Sequence, residues 1–186
     1  MNVQNLTKLL AVGVAGVFVV GAGFALVQEL IKDATLQTVV ETDISLEQAL
    51  QVAQGAVDEC KKSNSPVTVA VVDRVGDIRF AVRGDGGTAD DIDVARRKAY
   101  TARTFRQATS DWIKRTAPDA VDAKGKPILL TGQRLLENTI TRAGGMPIIY
   151  HGDAIGGVGV VGSKGGDEMD EVCAKAGQQA IADQLL

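Results

Sequence analysis

A single histidine and two cysteines are all that this chain of 186 residues offers as zinc-binding nitrogen and sulfur, and it has no Cys-x-x-Cys pair. A zinc site of ordinary ligand count therefore cannot be assembled within one chain. Aromatic residues are scarce too, at 4% of the sequence, and no basic stripe is interleaved with them. The net charge is −3, with Lys and Arg interspersed among Asp and Glu. These features exclude a nucleic-acid groove, so the expected partner is small, or it is a protein. What is plentiful is small and apolar: 21 glycines in a chain that is 45% hydrophobic. Such a composition fits one ordinary globular domain with a short appendage.

Glycine concentrates between Gly144 and Gly162. Two apolar runs, Met146 to Tyr150 and Ala154 to Val161, flank Gly152-Asp153 and predict a β-hairpin. Gly156, Gly157 and Gly159 recur on its second strand. A strand interior accepts glycine where another backbone or a ligand comes close, or for twist, a bulge or subunit packing. Sheet and subunit packing are the expected uses, which leaves Tyr150 and His151 at the tip as the hairpin's chemical contribution.

The first 34 residues differ from the rest. Leu9 to Val27 is uncharged and rich in Val, Ala and Gly, long enough to span a bilayer. It also suits a cleaved signal, with Gly23-Phe24-Ala25 as a fair cleavage site. Either way the domain is exported, and Lys8 on the amino side favours a cytoplasmic N-terminus. The expected organisation is a signal peptide or membrane anchor over 1–34, a linker over 35–44 and a domain over 45–186. A periplasmic or extracellular location follows, with membrane contact only through residues 9–27 if they are retained. Cys60 and Cys173 permit a disulfide if their helices lie side by side; the other reading is two small buried hydrophobes.

Along the domain, Ser45 caps a helix with Leu46, Ala49, Leu50, Ala53 and Val57 at helical spacing, stopping near Ser63-Asn64-Ser65-Pro66. Val67 to Arg74 and Asp77 to Arg83 read as a hairpin around Val75-Gly76. Thr88 and Asp91 have capping-box spacing, opening a helix whose stripe is Ile92, Ala95, Ala99 and Ala102. Its other faces carry Arg96, Arg97, Lys98, Arg103 and Arg106, either a solvated face or a clamp for a carboxylate or phosphate. Ser110 caps a short helix, and weak β signals follow at Pro127 to Thr131 and Leu135 to Thr141. Asp167 caps a last helix with Met169, Val172, Cys173, Ala176, Ala180 and Ile181 on one side. Hairpins with helices between them give an antiparallel sheet and an α+β class.

Five pieces then carry a resemblance: Val71-Val72-Asp73-Arg74-Val75-Gly76-Asp77, Arg83-Gly84-Asp85-Gly86, Arg97-Lys98-Ala99-Tyr100-Thr101-Ala102, Gly144-Gly145-Met146-Pro147-Ile148, and Gly152 with Gly156-Gly157-Val158-Gly159-Val160. In this order they resemble the GlcG/HbpS family, the haem-degrading domain family, from about Leu46 to Leu185, and especially its secreted haem-binding members. The resemblance implies a profilin-like five-stranded antiparallel sheet flanked by helices, and a homo-oligomer. It also implies haem as cofactor, with Thr101 near the iron; the helix places Arg97, Thr101 and Lys98 or Arg103 on neighbouring faces, which sets cations near the propionates of a haem held there. The residue-level alternative for Thr101 is a hydroxyl bonded back to the carbonyl one turn earlier. Many members keep a histidine near the first helix, but Leu46 to Lys62 has none, so His151 becomes the nitrogen ligand to consider, with Tyr100 and Tyr150 as oxygen donors. The expected function is exported haem binding, serving sensing, storage or breakdown. The alternative is an enzyme or accessory subunit acting on a small organic acid or aldehyde-derived metabolite. It would use Asp73, Asp85, Asp91 or His151 for acid–base work and Arg97 or Arg103 as clamp.

Overall fold

The computed structural model describes residues 41–185. The readings placed on residues 1–34, including the apolar run 9–27, lie outside the described residues. Among the described residues no helix is long and apolar enough to cross a membrane.

Ser45 opens helix α1 (Leu46–Lys62) through a full capping box with Gln48. Two orphan helix donors are satisfied locally, so the start is fixed before any packing. The buried stripe is Ala49, Val52, Ala53, Ala56 and Cys60, rotated from the one expected: Leu46 is 56% and Leu50 43% exposed. The reason is the neighbouring helix α4 (Gly166–Gln179). A Cβ on Gly177 of α4 would lie 2.5 Å from the Val52 carbonyl oxygen, and one on Gly55 2.8 Å from Ala180 Cβ. Backbones that close accept only small side chains between them, and the leucines are turned outward. Cys173, Ala174 and Gly177 of α4 are buried, and Val172 is left half exposed. Ile44, at the end of the expected linker, is buried in the same core.

Cys60 and Cys173 are joined, with Cα atoms 5.5 Å apart and a sequence separation of 113. A closed loop of that size restricts the unfolded chain strongly. Replacing both cysteines by serine should cost about 2–4 kcal/mol, read as a lower denaturant midpoint. An unchanged midpoint, or one unmoved by reductant, would show that the bridge contributes nothing.

Strands β1 (Thr68–Asp73), β2 (Ile78–Val82), β3 (Gly145–Tyr150) and β4 (Asp153–Val161) form one antiparallel sheet in the order β2-β1-β4-β3. Among the described residues the sheet thus has four strands, which corrects the expected five. The segments read as weak strands form a 3-10 turn at Thr131–Leu135 and one isolated bridge, Val121 to Pro127. Leu129 and Leu135 are each 88% exposed, so their side chains have no sheet face to cover and the β pattern has nothing to hold it. The β3–β4 turn is His151-Gly152, not Gly152-Asp153. Both residues have positive φ, 47° and 86°, as a two-residue type I′ turn requires.

Helix α2 (Ala89–Phe105) starts at the Thr88–Asp91 capping box, as its spacing predicts. It covers one face of the sheet, while α1 and α4 cover the other. Val69, Val71, Ile148, Val158 and Val160 point toward α1 and α4. The alternate positions toward α2 are Ala70, Gly157 and Gly159, and they meet Ala95 and Ala99. Gly157 and Gly159 put no side chain between strand and helix, so α2 lies nearly backbone to backbone on that part of β4, with Val161 packing beyond it.

Two expected caps differ. Helix α3 (Thr109–Arg115) has Ala108 at its N-cap without a side-chain bond, because the Ser110 hydroxyl is donated to Glu171 of α4, whose other carboxylate oxygen accepts the Ser110 N–H. Helix α4 is preceded by Gly165, and Asp167 lies in its first turn, its carboxylate held by Lys98 and Arg142.

Candidate functional site

Helix α2 ends with Arg106 in the left-handed conformation, φ 54°, its N–H donating to the Ala102 carbonyl. That geometry is uncommon for a residue with a Cβ and costs on the order of 1 kcal/mol. It aims the Arg106 guanidinium at the β3–β4 tip, where Nη1 donates to the Gly152 carbonyl at 2.9 Å and Nη2 to Asp153 Oδ1 at 3.2 Å. A third segment joins them. Asp73 Oδ1 accepts the N–H groups of Val75, Gly76 and Asp77, each at 3.0 Å, and the Arg74 N–H donates to Asp43 at 2.9 Å. This turn chemistry fixes Arg74 beside the end of α2.

Between the three segments lies a pocket of about 170 Å³ lined by Arg74, Arg103, Thr104, Arg106, Asp153 and Ala154. Three arginines and one carboxylate are among the lining residues, and Arg106 is already paired with Asp153. Among the described residues, Arg103 Nε and Thr104 Oγ1 are shielded from water and have no hydrogen-bond partner, and the same holds for Gln107 Nε2 just beyond the helix. His151 stands exposed at the tip next to Gly152, its ring edge-on to Tyr150 with centroids 4.2 Å apart.

The sequence-predicted residues separate into two groups. Arg103 and His151 belong to this end of the molecule. Thr101 is fully buried, donating to the Arg97 carbonyl at 2.8 Å and accepting the Ile140 N–H at 3.0 Å; the back-bonded arrangement is the one observed. Arg97 donates to the Thr139 carbonyl. Lys98 is fully buried as well, its ammonium 2.8 Å from Asp170 and 2.9 Å from Asp167. Burial pushes the Asp167 carboxyl up, but the hydrogen bonds from Arg142 and Lys98 outweigh it and hold it below the usual range; the same bond raises Arg142. Tyr100 packs against the β1–β2 turn, where a Cβ on Gly76 would lie 2.6 Å from its ring. Of the carboxylates considered for acid–base work, Asp73 ties a turn and Asp91 accepts the Thr88 N–H at 2.6 Å as a cap. Thr104 and Asp153 were not singled out from sequence. The one available signal was that Thr104 follows Arg103 at the end of a cation-rich helix.

A family model described as haem degrading protein HbpS-like matches residues 44–179. The crystal structure of HbpS is similar with a TM-score of 0.67 and 32% identity, covering 78% of this chain and 95% of that one. A double mutant of HbpS from Streptomyces reticuli gives 0.68 and 32%, covering 80% and 93%. The crystal structure of a PduOC–haem complex gives 0.60 and 26%, covering 76% and 96%. An uncharacterized 15.0 kDa protein from the dhaT–dhaS intergenic region of Citrobacter freundii is 33% identical over 132 residues, 71% of this chain and 87% of that protein.

Proposed function

The chain belongs to the HbpS-like family, and on that premise we propose that it is an exported haem-binding protein whose iron contact comes from the hairpin tip. The observation that carries this is the exposed imidazole of His151 beside a pocket that gathers three arginines. A relative of the same fold was solved with haem. Haem needs cations for its propionates and an axial donor, and both are within one corner of this chain. At about 170 Å³ the pocket is too small for the macrocycle, and its arginines would serve the carboxylates of a haem held at this end of the chain.

We assign the axial contact to His151 in preference to Thr101, because the Thr101 hydroxyl is buried and already bonded on both sides. A neutral imidazole is also a far better iron ligand than an aliphatic hydroxyl. Bound haem supplies an iron centre for one-electron and small-ligand chemistry. The residues described above bind it, orient it and neutralise its carboxylates.

Export is part of the same proposal, supported by the apolar run before the domain and by a disulfide, which persists in oxidising compartments. So is assembly into a homo-oligomer, supported by Leu129 and Leu135, both almost wholly exposed. Sensing, storage or breakdown of haem is the class of downstream role.

Titration of the purified protein with haemin should give a saturable Soret shift, and His151→Ala should weaken binding by about tenfold or more, roughly 1.4 kcal/mol. Absence of any shift in the wild type would end the proposal, and an undiminished shift in the variant would end the assignment of His151.

A further inference from the structure

We infer that a hollow at the start of α2 is a binding site for a protonated organic amine with a short apolar chain, and this rests on neither haem nor the hairpin tip. The hollow has a volume of about 200 Å³ and lies where β1 begins, β4 ends and the 84–87 turn leads into α2, with Thr68, Gly84, Asp85, Gly87, Asp91 and Val161 among its walls. Thr68 is the central group. It is 2% exposed, and among the described residues its hydroxyl makes no hydrogen bond, whereas the other buried threonines, Thr101, Thr109, Thr116 and Thr139, all do. Its oxygen is not one of the unpaired buried atoms closed to water, such as Thr104 Oγ1, so it opens on the hollow that it lines. A hydroxyl that bonds nothing in the fold needs completion from that side, by water or by a ligand, and the charges around it decide which ligand.

Those charges have one sign. Asp85 has no hydrogen bond or ion pair among the described residues, and Asp91 gives Oδ2 to the Thr88 cap while Oδ1 accepts nothing. No Lys or Arg is among the walls; the Arg83 stem passes Gly87, and Arg83 is exposed. Two carboxylates and a hydroxyl are acceptors for the three N–H donors of an ammonium group. Among the described residues no three Asp, Glu, His or Cys gather to hold a metal ion, so a cation that donates hydrogen bonds fits better than a bare one. What the amine carries follows from a second hollow, of about 410 Å³, which shares Pro66, Val67, Gly84 and Asp85 with the first. Val57, Val67 and Val82 make its walls apolar, suited to a chain of a few carbons. Lys61 borders it and disfavours a second positive charge, so a monoamine fits better than a diamine.

The test is a titration of the full chain with pentylamine near neutral pH, where the amine is protonated. It follows the backbone amide resonances of Gly84, Gly86, Gly87 and Gly162 in a nitrogen-15 sample, with pentanol, cadaverine and calcium chloride as comparisons. The expected result is a saturable shift with pentylamine that is at least about tenfold weaker with pentanol and weaker with cadaverine and calcium. Asp85→Asn should weaken amine binding by about tenfold and Thr68→Val by about threefold or more. Thr68→Val keeps the side chain's shape and removes a hydroxyl with no partner in the fold, so it keeps the test valid if the turn variant folds poorly. Absence of a saturable shift, pentanol, cadaverine or calcium binding as tightly as pentylamine, or an amine affinity unchanged in either variant would overturn the inference. The Soret titration judges haem binding separately, so none of these results bears on it.

Discussion

Gly159→Ala is expected to remove most of the protein's stability. A methyl group there would overlap the Ala95 carbonyl oxygen and lie 2.6 Å from the Ala99 N. Both atoms belong to the α2 backbone, which cannot rotate away as a side chain can. Overpacking a core costs about 1–3 kcal/mol when side chains can shift. Here α2 as a whole must lift off β4, at Gly145 and Gly157 as well, where a Cβ would also meet carbonyl oxygens of the helix. A loss above about 4 kcal/mol follows, a large share of the ~5–15 kcal/mol that holds a domain folded. Trp112, the sole tryptophan and fully buried against Phe105, reports unfolding by fluorescence in guanidinium. Gly132→Ala is the control, since nothing lies within 4 Å of that position. Equal midpoints for the two variants would contradict the close approach of α2 and β4.

Lys98→Met should destabilise the protein by about 3–5 kcal/mol, because it leaves charges buried without their counterion. The ammonium of Lys98 joins the helix layers at the end of the sheet, beside Gly144, by its bonds to Asp167 and Asp170. Asp170 is 1% exposed and accepts the Ser163 N–H through its other oxygen at 2.9 Å. With Lys98 gone, one oxygen of the buried Asp170 loses the hydrogen bond and the charge that hold it. Adding Asp170→Asn should restore part of the loss, since a neutral amide tolerates that site better. No recovery in the double variant would argue against an electrostatic cause. The pH dependence has a definite sign. The folded-state pKa of Asp167 is depressed, so its share of stability is fully present above the ordinary carboxylate range and is lost as pH falls through the depressed value. A midpoint that rose on acidification below pH ~4 would contradict this.

The sequence made local features legible and hid those that depend on distant segments. Ser45 and Thr88 set helix starts through bonds three residues long, and the hairpin tip was legible as a turn, although its central residues are His151-Gly152 and not Gly152-Asp153. Such signals survive in a linear reading because partner and donor are neighbours. Lys98 shows the opposite case. On a helix with four arginines it read as a solvated cation or a ligand clamp, and only the fold reveals that Asp170, 72 residues along the chain, receives it. Leu46 and Leu50 failed similarly: spacing gave a helix, but which face is buried depends on how closely Gly177 lets α4 approach. The candidate site was half visible. Arg103 and His151 stood out by residue type, whereas the pocket exists only because Arg74, Thr104 and Asp153 arrive from three separate segments. The five-stranded expectation came from resemblance, and the exposed leucines between 129 and 136 show where a further strand lacks a face to bury.

The central claim is that the hairpin tip supplies the iron contact, and the composition makes a direct measurement possible. His151 is the only histidine in the chain, so protein grown with nitrogen-15 histidine carries that label in one side chain. Resonance Raman spectra of the ferrous haem-loaded protein should show an iron–nitrogen stretching line that moves to lower frequency on labelling. A spectrum identical with and without the label would mean that iron is held by something other than His151.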